Sequence, residues 1–111
     1  MNLSEQIHEL NLETSSILRE IGNSLGLTLS QVQLLLSVPF TSISMTDLSK
    51  TLGIDNSTLT RNLNKLEKND FVQRNKDDYD GRIYNVTLSK KGLEQKDKIE
   101  SQLNDFSYKL L

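Results

Sequence analysis

The stretch MTDLSKTLGIDNSTLTRNLNKLEK, Met45 to Lys68, restricts the fold of this chain more than any other. It reads as two short helices around a tight turn. Thr46 can cap the free N–H groups of a first helical turn, so the first helix is expected to start there. Leu48 and Leu52 lie four apart on one face, and Gly53 supplies the left-handed conformation that ends a helix. Asp55 is a second N-cap and opens a helix over 56–68. At about 100° per residue, Leu59, Leu63 and Leu66 form a narrow stripe. The opposite face carries Ser57, Arg61, Asn64 and Lys68, flanked by Thr60 and Lys65. It offers donors, acceptors and positive charge without a carboxylate, which is what a helix needs to meet base edges and phosphates in a major groove. Helix, glycine turn and second helix make a helix-turn-helix pattern. A plain αα-hairpin with a solvated polar face would read the same way.

A chain of 111 residues predicts one domain with one modest core. Hydrophobic residues at 35% and a single proline point to a soluble, largely helical protein. No run approaches the roughly 18 to 20 apolar residues of a membrane span, so no membrane partner is expected. MNLSEQIHEL lacks the basic start and apolar core of a secretory signal. Without cysteine there is no disulfide framework, thiolate metal site or thiol switch, and a cytoplasmic location is expected. The net charge of −2 argues mildly against a nucleic-acid partner, but the distribution matters more. Residues 1–45 hold one basic and four acidic groups, residues 46–91 nine and seven, and residues 92–111 three and four. The basic middle is only slightly so, and attraction to phosphate should fall readily with salt.

Residues 3–21 form the first helix candidate, with Leu3, Ile7, Leu10, Thr14, Ile17 and Ile21 repeating at spacings of four and three. Gly22, Asn23 and Gly26 then break the pattern. Thr28 and Gln31 form a capping box at the start of a second helix. Val32, Leu35 and Leu36 give that helix an inward stripe, Leu34 and Val38 widen it, and Pro39 stops it. The short piece 43–45 reads as extended.

After Lys68 the period changes. Residues 71–76 and 83–88 read as two strands, with Tyr84, Val86 and Leu88 alternating, and DDYDG between them as a turn. A hairpin directly after a helix-turn-helix is the layout of a winged helix, here with 77–82 as the wing tip. Asp80 can hold the Arg82 side chain in one pose. The plain alternative is a surface ion pair worth about 0 to 1 kcal/mol. Ser89 caps a last helix whose first turn carries Lys90 and Lys91. Cations there oppose the helix dipole, so phosphate contact is one reason for them and ordinary surface lysines the other. Ile99, Leu103, Phe106 and Leu110 repeat at four, three and four.

The fold expected is therefore mainly α with a small β-hairpin, a winged helix-turn-helix flanked by terminal dimerisation helices. The core spans 28–89, with a recognition helix at 56–68 and a wing at 71–88. Residues 1–26 and 90–111 are the flanking helices. Their two seams, Leu3, Ile7, Leu10 and Ile17 with Ile99, Leu103, Phe106 and Leu110, should pair with each other and with a second copy, giving a two-fold dimer. Packing within one chain is the alternative.

Three blocks, LTLSQVQLLL (27–36), MTDLSKTLGIDNSTLTRNLNKLEKNDFVQR (45–74) and DGRIYNVTLSKKG (80–92), resemble the MarR family of winged-helix transcription regulators. The last is the most specific: Asp-x-Arg, a strand ending in Leu-Ser, then a basic–glycine pair. The likeness spans roughly Leu27 to Gly92. The chain departs from the family pattern at Ser49, where alanine is frequent, and at Asp70, where glycine is usual. It also ends about one helix before a usual member, which implies a reduced dimerisation region. The resemblance implies a sequence-specific DNA-binding regulator, a repressor that binds a palindromic operator in double-stranded DNA as a homodimer. By position it implies Ser57, Thr58, Arg61 and Lys65 as groove and phosphate contacts, with Arg82, oriented by Asp80, in the adjacent minor groove. The competing class is a winged helix used for protein–protein contact, or as an antagonist of a DNA-binding relative, for which the acidic pI and acidic wing speak.

Members of such a family often answer a small-molecule effector, an oxidant or a metal. The absence of cysteine closes the thiol route, and His8, the sole imidazole, falls beside the seam as a surface residue, so no metal site is expected. A ligand cleft between the end helices and the winged helix is compatible with the pattern, but no residue identifies it. No catalytic set is present, since one histidine completes no nucleophilic triad, and no glycine-rich phosphate loop appears. Asp77, Asp78 and Asp80 lack the ligand ladder and closing glutamate of a calcium loop. Neither enzyme activity nor a cofactor is expected.

Overall fold

The computed structural model describes the backbone of residues 1–110 and side chains through Phe106. Leu110 of the expected seam thus lies outside the described side chains. The chain forms α1 (Leu3–Leu25), α2 (Leu29–Ser37), β1 (Ile43–Ser44), α3 (Met45–Leu52), α4 (Asn56–Lys68), β2 (Val72–Lys76), β3 (Tyr84–Leu88) and α5 (Lys90–Leu110). The fold is mainly α, with the winged helix-turn-helix at its centre.

Local chemistry places the helix ends. Thr28 and Gln31 cap α2 reciprocally, at 3.2 and 3.0 Å. Asp55 Oδ1 accepts from the Thr58 N–H at 2.7 Å and starts α4. Gly53, at φ 66°, ends α3, and the Ile54 N–H reaches back to the Ser49 carbonyl at 3.1 Å. Asp70 plays the same part after α4 at φ 61°, a left-handed position taken without glycine. Ser89 Oγ accepts from the Gly92 N–H at 2.9 Å, capping α5.

Two helix boundaries differ from the sequence expectation, and each expected strand is one residue shorter. The first helix does not break at Gly22 but runs to Leu25 and ends at Gly26. Gly22 is instead a packing position, because a Cβ there would stand 2.5 Å from the Leu27 carbonyl oxygen and 3.0 Å from Val32 Cγ2. The third helix is capped by Ser44 rather than Thr46, with the Asp47 N–H donating to Ser44 Oγ at 3.1 Å. Thr46 lies inside the first turn.

The extended piece at 43–44 is a true strand. It pairs antiparallel with β3, Ile43 opposite Val86, so the expected hairpin is part of a three-stranded sheet in the order β1-β3-β2. In the hairpin, Val72 faces Leu88, Arg74 faces Val86 and Lys76 faces Tyr84. Side chains alternate along a strand, so Val72 and Arg74 share the face turned toward the helices. Val72 is buried and Arg74 emerges at the rim.

Val32, Leu34, Leu35, Val38, Leu48, Leu59, Leu63, Leu66, Val86 and Ile99 are wholly buried and form one core across α2, α3, α4, β3 and α5. The leucine stripe of α4 is thus the inward face anticipated. Ile99 differs from the expected seam: it belongs to the chain's own core and is not free to face a second copy. Leu103 packs against that core half-buried, and Ile17 and Phe106 are half-buried. At the other end of the seam, Leu3, Ile7 and Leu10 are 71%, 59% and 50% exposed.

Lysines of α5 bind the module together. Lys91 Nζ donates to the Asn69 carbonyl at 2.9 Å and lies 5.0 Å from the centre of the Phe71 ring. Lys96 Nζ donates to the Val38 carbonyl at 2.6 Å. Each ammonium meets the carbonyl-rich, negative end of a helix, α4 and α2 respectively. That answers why Lys91 tolerates the unfavourable end of its own dipole; Lys90 remains exposed.

Candidate nucleic-acid interface

The exposed side of α4 and the wing together shape one polar surface. Asn56, Ser57, Thr60, Arg61 and Asn64 line a shallow groove of about 450 Å³ along the helix. Their spacings of three and four put them on one helical face, opposite Leu59, Leu63 and Leu66. A second depression, about 330 Å³, lies between the start of α3, the start of α4 and the wing, lined by Met45, Thr46, Asn56, Thr60, Arg82, Ile83 and Tyr84. Asn56 and Thr60 border both, so the helix face and the wing meet without a break.

The wing tip is held by its own acids. Asp77 Oδ2 accepts from the N–H groups of Tyr79 and Asp80 at 3.0 and 3.1 Å, and Asp77 Oδ1 accepts from Asn85 Nδ2 at 2.8 Å. The Asn85 amide, followed by those two N–H groups, holds the Asp77 carboxyl below its usual range. Asp80 accepts from Arg82 Nε and NH2, both at 3.0 Å, and from the Arg82 backbone N–H at 3.0 Å. The Arg82 side chain lowers the Asp80 pKa, and the same pairing raises that of Arg82. The Arg82 side chain is nevertheless 91% exposed, against 33% for Asp80. The guanidinium is therefore fixed in direction while its outer edge stays open to a partner. Such a bidentate fork is more than the loose surface pair that its sequence spacing also allowed.

The remaining sequence-selected residues spread more widely. Thr58 is half-buried beside the Asp55 cap, with its hydroxyl 3.5 Å from Arg61 NH2. The Thr58 N–H is also the first cause that lowers the Asp55 pKa. Lys65 is half-buried and Lys68 exposed in the last turn of α4, and with Lys90 they line neither depression. Glu67, the one carboxylate within α4, turns away and pairs with Arg74 of β2. Arg74 NH2 also donates to Asn64 Oδ1 at 2.7 Å.

Five residues that line the two depressions went unselected in the sequence: Met45, Thr46, Asn56, Ile83 and Tyr84. Asn56 was legible, four residues before Thr60 and eight before Asn64 on the same face. Met45, Thr46, Ile83 and Tyr84 were not, because only the pairing of β1 with β3 and the packing of α3 bring them beside α4. Among the described residues no group of three or more His, Cys, Asp or Glu could hold a metal, and no helix is long and apolar enough to cross a membrane.

Comparisons with known proteins identify the family and the fold. The family model described as the MarR family matches residues 10–84. No curated protein gives a match. Among solved structures, the chain is similar to wild-type MarR from E. coli in its apo form, at 27% identity and a TM-score of 0.82, covering 94% of this chain and 77% of that one. It is similar also to a mutant E. coli MarR complexed with operator DNA, at 28% identity and a TM-score of 0.73, over 89% and 71% of the two chains. A mutant MepR from S. aureus shares the fold at 18% identity and a TM-score of 0.82, over 99% and 82%.

Proposed function

This chain belongs to the MarR family, and on that premise we propose that it is a DNA-binding transcription regulator, a repressor that occupies a palindromic operator as a homodimer. The observation that carries the reading is the continuous surface from Ser57 and Arg61 on α4 to Arg82 on the wing, its guanidinium locked by Asp80. α4 enters the major groove and reads base edges, and Arg82 follows into the neighbouring minor groove. Lys65, Lys68 and Lys90 supply phosphate contact around them. That a similar E. coli protein, a mutant MarR, forms a complex with operator DNA supports DNA binding by this chain.

Two copies are joined through α1, whose Leu3, Ile7 and Leu10 are half or more exposed among the described residues. Two α4 helices then meet half-sites about one helical turn, 34–36 Å, apart. The test is selection of duplexes from a random pool, followed by titration at two salt concentrations. A palindrome bound in the micromolar range or tighter is expected. Its affinity should fall with salt by a slope of about −0.9 per neutralised phosphate. Absence of binding to any sequence at low salt would sink the reading.

A further inference from the structure

Arg74 stands outside both depressions that make up the interface, yet it grips two residues of the reading helix at once. Its Nε pairs with Glu67 and its NH2 donates to Asn64 Oδ1 at 2.7 Å. Asn64 and Glu67 are one helical turn apart on α4, so one guanidinium from β2 spans a turn of that helix. The Arg74 side chain is only 26% exposed, and Val72 before it on the same strand face is buried. The guanidinium is thus held from behind by the sheet and from the side by a carboxylate.

An arginine can only donate, so the atom of Asn64 that faces it must be the oxygen. This removes the usual freedom of an amide to turn over. The oxygen is drawn back toward β2, and the NH2 group forms the other arm of an exposed side chain in the α4 groove. A free asparagine in a major groove reads adenine with both arms, accepting from N6 and donating to N7. Here the oxygen is turned toward Arg74, and although it keeps a second lone pair, the arm left to face the groove is the NH2 donor. Its complements are base acceptors, the O6 and N7 of guanine or the O4 of thymine.

We infer that Arg74 is a specificity-determining positioning residue, which fixes Asn64 as a donor toward a guanine or thymine at one position of each half-site. The inference rests on the DNA-binding reading above and goes beyond it by assigning the base class that one side chain accepts. Arg74 touches no DNA itself and acts through Asn64.

The experiment compares base preferences selected from a random duplex pool by the wild-type chain, Arg74→Leu, Arg74→Lys and Asn64→Asp, with thermal melting of each protein alongside. For the wild type, one position per half-site should favour guanine or thymine. Arg74→Leu should admit adenine at that position and leave the other positions unchanged, and Arg74→Lys, still a donor, should restore the original preference. Asn64→Asp keeps a partner for Arg74 but removes the donor, so it should lose the guanine or thymine preference and at least tenfold in affinity. A uniform loss over all sequences in Arg74→Leu, with no position altered, would reduce Arg74 to a structural strut and overturn the inference while leaving the regulator reading intact. An unchanged profile in Asn64→Asp would overturn it equally. A wild-type chain that selects no DNA would remove both.

Discussion

The α-carbon of Gly92 packs directly against the backbone of Phe71: a Cβ there would overlap the Phe71 carbonyl oxygen and stand 2.9 Å from its carbon. That carbonyl also accepts from the Ser89 N–H at 3.0 Å, and Ser89 Oγ donates to the Asp70 carbonyl. The start of α5 is therefore latched onto the turn that ends α4. Because the obstacle is backbone, it cannot swing aside as a side chain would. Gly92→Ala should lose about 3 kcal/mol or more, the upper part of the range for overpacking. Urea unfolding checks this: the midpoint should fall sharply with little change in slope. An unmoved midpoint would show that the latch is not closed.

Asp70 stands at φ 61° in the same turn, where glycine has no steric penalty. Its side chain is exposed, so substitutions test the backbone nearly alone. Asp70→Gly relieves strain but frees the unfolded chain, and the two effects, each of about 1 kcal/mol, nearly cancel. Asp70→Val has no such relief, and its branched side chain should cost about 1–3 kcal/mol. The expected order of melting temperatures is glycine at or slightly above wild type, and valine clearly below. Valine equal to wild type would rule out the left-handed turn.

The wing acids set a pH window. Asp77, Asp80 and Asp55 all have folded pKa values below the ordinary 3.8. A depressed carboxylate stabilises the fold fully above its unfolded pKa, and that contribution is lost as pH falls through the lower folded value. Wing geometry and the α4 cap should hold from neutral pH down to about 4 and loosen only below it. Amide resonances of Tyr79, Asp80 and Arg82, followed by NMR, report this directly. Movement between pH 5 and 7 would contradict the pairings.

Arg61 and Arg82 should fail in different ways. Arg61→Ala removes a candidate guanine fork, worth about 1–3 kcal/mol, and should relax preference at one position per half-site. Equal loss on every sequence would make Arg61 a phosphate anchor. Asp80→Ala releases the Arg82 guanidinium and also removes a negative charge from the DNA side. Specific binding should weaken while non-specific binding strengthens, and the ratio of the two is the quantity to measure.

Ile7 lies 59% exposed in the middle of the apolar stripe at the start of α1. Ile7→Glu should turn a dimer into a monomer at micromolar concentration by light scattering, with helicity preserved. A dimer that survives would place the interface elsewhere.

How much of this was legible in the sequence depended on range. The capping box of Thr28 and Gln31, the Asp55 cap, the Gly53 turn and the Leu59, Leu63 and Leu66 stripe all act within a turn or two of helix. Residue type and spacing therefore specify them, and Ser57, Arg61 and Asn64 follow on the opposite face by the same geometry. The Asp80–Arg82 fork was legible for the same reason, its partners being two residues apart.

The misreadings have the opposite character. Gly22 and Gly26 look alike as helix breakers, but Gly22 is required by the approach of Leu27 and Val32, which only the packing of α1 on α2 creates. Ile99 continues a heptad spacing whether it faces a second copy or its own core. Lys91 reaches Asn69 across 22 positions and Lys96 reaches Val38 across 58, so nothing in their own helix announces either bond. The sequence by itself determined the helices, most of their caps and the polar face of α4, because short-range sterics and hydrogen bonding decide those. Tertiary structure alone decided that β1 completes the sheet, that α5 closes the ends of α2 and α4, and that Arg74 orients Asn64, because those contacts exist only once distant segments have packed.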